Sequence, residues 1–600
     1  MRGPADEDGG NDVDGGRDVS ISARQVCMTK QTSRDVAPPP SRVGGRWVDV
    51  VLALLILTAG LYVRLADLGT QSFDTDELFH FFAAESLVDG GNLELPGGLV
   101  YGRAAWFTEV IATSFRLRGP SESAARLPAA IFGAAVVPLV YWIGVTWFGR
   151  SAAIFAALAV ALVPFNVVHS RRARMYAPLE LFFTFGVFAF YRGLTEKPRR
   201  AALWLLSAAA SLAAAYKTHV LAGLFAPVAA MYTAAAAAVV GRTRGRAAGL
   251  RSRYAAIAAL LVAGGLVALV LNPWIPDAVA SLRSAPEWGA PDLSGSRYLY
   301  LLRQAWMFPI LALLIVGATQ TLIDCSRPGI YLLFVVGAYF AFLTTAVVQQ
   351  ARYMVLIFPL IALIASIGFG WIVDRQTAEA VASFAGPSGR DRRRLLPAWG
   401  RHVATAAVIG GLWLLPAAGW ARQSLRAATT TDLSVYGAPS RPSWRAACDY
   451  VVAHGKDTVI VATDPLAILK YCGRVDFGID GDSWIGSQQY PLAEDWRPLA
   501  GKPSLGLPRV DPYSGATMVL TLDDLIAVRE AYPQGWFLAD RSRFVAPGYG
   551  GGRTVLPRHL RSVPPHVYDY VAQNFHRQDI GSDGSVLVFR WGEGSEPRIP

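Results

Sequence analysis

Cysteine is nearly absent. The 600 residues hold 4, and none stands with a histidine at the spacing of a zinc site. No glycine-rich, phosphate-cradling motif occurs either, which argues against a nucleotide-driven pump. Charge is also scarce, at 17% of residues, too little to coat a soluble chain of this length. Residues 1–46, rich in Gly, Asp and Arg and carrying Pro38-Pro39-Pro40, lack the apolar core of a cleavable signal peptide. They are expected to form a disordered cytoplasmic tail ahead of a signal-anchor helix.

What the chain has instead is apolar length. Hydrophobic residues make up 53%, gathered in blocks rather than amphipathic stripes, which describes a polytopic α-helical membrane protein. Blocks long enough to span lie near 47–66, 124–147, 151–168, 177–193, 201–216, 220–240, 254–271, 298–320, 329–348, 353–373 and 402–420. That is about eleven helices, uncertain by one or two in the Ala-rich 201–240 stretch.

Placing the tail with Arg42 and Arg46 in the cytoplasm puts the basic segments Arg192 to Arg200, Arg242 to Arg253 and Arg375 to Arg401 inside as well. The formal net charge of +11 is then mostly cytoplasmic loop arginine, so no nucleic-acid partner is implied. An odd number of spans leaves everything after about 425 outside a plasma or inner membrane. Cys27 and Cys325 fall inside on this topology. Cys448 and Cys472 share the exterior and could pair or stay reduced.

Just past the first block stands an acidic octapeptide, Phe73-Asp74-Thr75-Asp76-Glu77-Leu78-Phe79-His80, within a first external loop spanning 67–123. Asp74 followed by Glu77 reads as a helix N-cap and capping box. Asp76, Glu77 and His80 can also share one edge of the helix, where one carboxylate serves as base and the other orients a hydroxyl. The same grouping could hold a divalent metal, but its ligands lack a fixed spacing, so no cofactor is assigned. The segment Gly102 to Gly119, with Trp106, Phe107, Ile111, Arg116 and Arg118, is too short and mixed to span and is expected to lie along the interface.

The same face carries cations that topology does not explain. His169-Ser170-Arg171-Arg172-Ala173-Arg174-Met175-Tyr176 puts three arginines in a short external loop, Lys217 lies in Tyr216-Lys217-Thr218-His219, and Arg352 precedes Tyr353. Guanidinium forks suit a phosphate held at the membrane surface, though such residues also snorkel to lipid head groups.

The order Asp76-Glu77, Ser123-Ala124-Ala125-Arg126-Leu127-Pro128, Ser170 to Tyr176, Lys217, and Arg352 to Pro359 resembles the GT-C membrane glycosyltransferases of the protein O-mannosyltransferase and aminoarabinose-transferase type, over roughly 47–375. The resemblance implies an inverting transfer of one sugar from a polyprenyl-phosphate donor to a lipid, glycan or protein acceptor at the outer face. It makes Asp76 the general base, Glu77 its acceptor-orienting partner, and Arg171, Arg172, Arg174, Lys217 and Arg352 the phosphate ligands. Asp74, His80, His169, Tyr176, His219 and Tyr353 are supporting candidates. One departure is His80, which stands four residues after Asp76 where the mannosyltransferase branch has three, so neither mannose nor a protein acceptor is implied.

Domain bounds follow: tail 1–46, membrane catalytic domain 47–424, exterior α/β domain 425–600. In the last, Thr458 to Thr463, Gly535 to Ala539 and Ser585 to Trp591 read as strands, and Leu522 to Tyr532 and His566 to Phe575 as helices. Asp464-Pro465 and Asp523-Asp524 read as turn and helix-start residues. This domain is expected to shape the acceptor side or brace the first loop. A secondary transporter or flippase would instead show repeat symmetry and midplane charges. A sensor protein would bind no lipid phosphate.

Overall fold

The computed structural model describes residues 43–240, 254–257, 259–261, 296–345, 350–384, 415–436, 438, 440–455, 458–479, 505–507, 509–541 and 565–592. The tail through 42, the basic segments 242–253 and 385–401, and much of the spans expected at 254–271 and 402–420 lie outside these.

The chain opens with α1 (Val43–Leu65), then α2 (Thr75–Val88) and α3 (Ala105–Arg118) in the first loop. Next come α4 (Glu122–Phe148), α5 (Arg150–Leu162), α6 (Pro164–Ser170), α7 (Tyr176–Thr195), α8 (Pro198–Thr218) and, after a 3₁₀ turn at Val220–Leu224, α9 (Phe225–Val240). Then follow α10 (Ser296–Leu302), α11 (Phe308–Ile323), α12 (Arg327–Thr345) and α13 (Phe358–Phe384), the last preceded by a 3₁₀ turn at Ala351–Ile357. Five helical stretches among the described residues are long and apolar enough to cross a membrane, or six if the bent pair α5 and α6 counts as one. The helices α7 and α8 coincide with two further expected spans.

The block 298–320 forms two helices rather than one. Pro309 sits in the first turn of α11, where its missing N–H costs nothing but where a helix cannot continue through it unbroken. The break is tied down by Trp306, whose indole donates to Val435 O at 3.3 Å.

The 54° bend between α5 and α6 has a similar cause. Pro164 cannot donate to Val160 O, and that freed carbonyl takes a bond from Arg64 Nη2 at 2.9 Å and another from Asn166 Nδ2 at 3.0 Å. Arg64 Nη1 donates to Ala161 O at 2.8 Å, and Glu180 is buried on α7 within electrostatic reach of it. This pairing of buried ionisable groups inside the bundle was not expected from the sequence. It fixes the angle at which α6 delivers the 170–176 loop. Gly133 on α4 is needed there, because a Cβ would stand 2.4 Å from Ser170 Cβ.

The C-terminal domain consists of α14 (Trp444–Gly455), β1 (Val459–Ala462), α15 (Pro465–Cys472), β2 (Phe477–Gly478), β3 (Thr517–Met518), α16 (Leu522–Ala531), β4 (Gly535–Asp540), α17 (Pro565–Asn574), β5 (His576–Gln578) and β6 (Val586–Trp591). Among the described residues the strands form one six-stranded sheet in the order β3-β2-β1-β4-β6-β5, parallel from β3 to β4 and antiparallel beyond. Asp464 caps α15, and Thr521 with Asp524 forms a capping box on α16, the turn and helix-start roles expected of them. Cys448 and Cys472 are disulfide-bonded, joining α14 to α15.

Of the two roles expected for this domain, the contacts show the brace. Thr75 Oγ1 donates to Asp464 Oδ2 at 2.6 Å, Phe73 N to Tyr471 OH at 2.7 Å, and Lys470 Nζ stands 3.8 Å over the Phe81 ring. A hairpin of the first loop, bridged at Glu94 and Val100, touches the domain as well, with Gly97 N donating to Tyr513 O at 2.9 Å.

Candidate active site

The α2 helix starts where its sequence says it should. Asp74 is extended and accepts from Asp76 N at 3.1 Å, while Glu77 Oε2 accepts from Asp74 N at 3.3 Å. That geometry sends the two neighbouring carboxylates of Asp76 and Glu77 in different directions.

Glu77 points inward, fully buried. Arg126 grips it with a fork, Nε to Oε1 at 2.8 Å and Nη2 to Oε2 at 3.0 Å, and Ala173 N donates to Oε1 at 2.8 Å. From the C-terminal domain, Arg441 brings Nε within 3.4 Å of Oε2. Burial pushes this carboxyl up, but Arg126 and Arg441 override it and hold Glu77 well below the usual range. Arg126 also donates to Leu68 O, Gln71 O and Ser72 O at 3.1, 2.8 and 3.0 Å. The pair thus knots the turn before α2, and Glu77 has no oxygen free to orient an acceptor.

Asp76 faces the other way, 26% exposed. Its Oδ2 meets Arg352 Nη1 directly and lies 3.6 Å from Arg174 Nη2. Arg174 Nη1 is held by Asp76 O at 2.8 Å and Tyr101 OH at 3.2 Å. Both guanidinium groups lie over the Tyr176 ring, Arg174 at 5.9 Å and Arg352 at 5.7 Å. Behind Tyr176 stands His219, ring centroid 5.9 Å away, and behind that Tyr353 at 5.7 Å. Burial alone would raise the Asp76 carboxyl, but Arg174, Arg352 and Arg172 outweigh it and keep the acid well below the carboxylate range.

The remaining arginines of the 170–176 loop serve structure. Arg171 donates to Val63 O, Arg64 O and Asp67 O at 2.9, 3.0 and 3.2 Å, satisfying carbonyls at the end of α1 and in the turn after it. Arg172 Nη2 lies 2.5 Å from buried Asp74, whose carboxyl burial pushes up to about 6 against that cation. Arg171 is thus spent on backbone carbonyls, whereas Arg172 keeps Nε and Nη1 without an acceptor among the described residues. Their charges satisfy groups that come into reach only in the folded loop.

His80 is buried between α2 and α3, with Nδ1 2.8 Å from Thr108 Oγ1 and its ring edge-on to Tyr101 and Phe107. Burial and the cation of Arg174 hold it well below the ordinary histidine range, in the neutral form. His169 packs against Phe165 and Tyr176, at 4.9 and 6.3 Å. The shared edge expected for Asp76, Glu77 and His80 therefore does not form. No group of three or more His, Cys, Asp or Glu side chains among the described residues is arranged to hold a metal. With Glu77 filled by arginines and His80 turned to Thr108, these residues do not fit a divalent ion, and no step is routed through one.

Lys217, exposed at the end of α8, borders a cavity of about 410 Å³ lined by Gly102, Ala105, Trp106, Phe182 and Ala214. Two cations that sequence reasoning did not single out also matter. Arg441 reaches Glu77 from another domain, which no local spacing reveals. Arg103, exposed beside Gly102, acts on Tyr101 and Tyr353 electrostatically, and its one sequence signal is a further arginine in the first loop.

The sequence pattern of the dolichyl-phosphate-mannose-protein mannosyltransferase family matches residues 104–274. Comparison with curated proteins gave no match. Among solved structures, ArnT from Cupriavidus metallidurans bound to undecaprenyl phosphate is similar with a TM-score of 0.53 at 14% identity, covering 93% of this chain and 100% of that one. Its apo state gives 0.52 at 14%, covering 92% and 98%. The oligosaccharyltransferase AglB from Archaeoglobus fulgidus, in complex with an inhibitory peptide and a dolichol-phosphate, gives 0.51 at 12%, covering 83% and 70%.

Proposed function

We propose that this chain, which has the fold of the GT-C membrane glycosyltransferases, transfers a sugar from a polyprenyl-phosphate donor to an acceptor at the outer face of a membrane. The observation that carries the reading is the setting of Asp76. Within the acidic motif it is the carboxylate that meets a solvent-accessible space, and there it faces Arg174 and Arg352. The ArnT and AglB structures were solved with undecaprenyl phosphate and a dolichol-phosphate, which supports the same ligand class here.

In this reading the apolar cavity walled by Trp106 and Phe182 receives the start of the prenyl chain, and Lys217 meets the phosphate at its rim. Asp76 takes the proton of the acceptor hydroxyl as its oxygen attacks C1 of the sugar. The C1–O bond to phosphate breaks on the opposite side, inverting the centre, and its electron pair goes to the phosphate. Arg174 and Arg352 stabilise that charge as it grows, in a site where water screens little. Glu77 contributes by fixing the helix that carries Asp76. The N-terminus is cytoplasmic and the C-terminal domain external in a plasma or inner membrane, and the acceptor is a lipid, glycan or protein.

The test is to incubate purified protein in lipid with a panel of radiolabelled polyprenyl-phosphate sugars. One of them should be bound and consumed. If none is bound, transferred or hydrolysed, the proposal fails.

A further inference from the structure

Arg174 and Arg352 converge on one oxygen, Asp76 Oδ2, and part of their donor capacity is unspent: among the described residues, buried Arg174 Nε, Arg174 Nη2 and Arg352 Nε meet no hydrogen-bond acceptor. Arg171 differs, being fixed by backbone carbonyls, while Arg172 faces Asp74 through Nη2 and keeps Nε and Nη1 without an acceptor among the described residues. Donors left over around one part-exposed carboxylate suit an anion with more oxygens than that carboxylate supplies.

Resting on the function proposed above, we infer that Asp76 and the donor phosphate compete for the same two guanidinium groups, so that the base is released only when donor is bound. In the unloaded protein Arg352 caps the carboxylate oxygen that would receive the acceptor proton. An incoming phosphodiester offers its oxygens to Arg352 and Arg174, and a side-chain rotation of Arg352 over the Tyr176 ring uncovers Asp76.

The charge count closes at each stage. Before transfer, two cations face the carboxylate and the singly charged phosphodiester. After transfer, Asp76 holds the acceptor proton and the leaving polyprenyl phosphate carries both negative charges. Loss of that product and of the proton returns Arg352 to Asp76. The consequence is an ordered reaction, donor before acceptor, in which acceptor alone meets no free base.

Binding of undecaprenyl phosphate to the full-length protein in nanodiscs tests this by a double-mutant cycle. Competition predicts that Asp76→Asn binds it at least about tenfold more tightly than wild type, and that the gain shrinks below about threefold in an Arg352→Gln background. Asp76→Ser, which also removes the carboxylate, should match Asp76→Asn. A gain of equal size in both backgrounds would mean plain charge repulsion and would overturn the inference, as would no gain at all. Binding by none of the variants or the wild type would instead sink the functional reading beneath it.

Discussion

Asp76 and Glu77 are neighbours in the chain and are turned to opposite uses: the first looks into a cation-lined space, the second is sealed in a fork of Arg126. Both carboxyls are held ionised by arginine, yet only Asp76 has cations that a ligand could draw away. In the proposed reading this division assigns chemistry to one residue and the integrity of the loop to the other.

Replacing Glu77 with Gln should therefore act on folding. It leaves Arg126 buried without its counter-charge, a change worth about 3–5 kcal/mol. The check is thermal unfolding in detergent, where Glu77→Gln should melt well below wild type. Asp76→Asn should melt at close to the wild-type temperature.

A second contrast separates the cations. Arg171→Ala leaves carbonyls of Val63, Arg64 and Asp67 without their donor, at about 1–3 kcal/mol for each that stays buried and unpaired, and should lower stability. Lys217→Ala should leave stability unchanged and weaken undecaprenyl phosphate binding by about tenfold, because a single exposed cation facing phosphate is removed. Parallel melting and binding measurements on the two variants distinguish these roles.

The helix cap at Asp74, the capping box with Glu77 and the longer strands β1, β4 and β6 were legible because they depend on near neighbours and on alternation, whereas the two- and three-residue strands β2, β3 and β5 were not. The three arginines of the 170–176 loop stood out in the sequence, and each has partners in the fold. Those partners differ, however, and spacing could not sort them. The carbonyls that Arg171 satisfies lie more than a hundred residues earlier, and Glu77 meets Arg126 across 49 positions and Arg441 across a domain boundary. The Arg64–Glu180 pair escaped for the same reason, since the bend at Pro164 that calls for it exists only once α1 packs on α5.

The pH dependence of donor use should carry the mark of Arg352. In the unloaded protein Asp76 sits below the usual carboxylate range, so its acid limb in kcat/KM lies below that range as well. Removing one lowering cation with Arg352→Gln leaves burial to push the carboxyl back up. The limb should then move toward neutral pH, and a limb that stays put or moves further down would contradict the ion pairing.

The disulfide sets how firmly the brace is held. Cys448→Ser should cost about 2–4 kcal/mol of C-terminal domain stability. Lys470 and Tyr471, which touch the first loop, stand beside Cys472 on α15, so limited proteolysis should cut the first loop of this variant faster than that of wild type.

The most direct measurement compares sugar transfer by wild type and Asp76→Asn in the same membranes, using whichever labelled polyprenyl-phosphate sugar the wild type consumes. The account predicts a fall of at least about a hundredfold in turnover, as expected for loss of a general base, with protein level and melting temperature retained and lipid-phosphate binding not weakened. An Asp76→Asn enzyme that transfers sugar at the wild-type rate would contradict it.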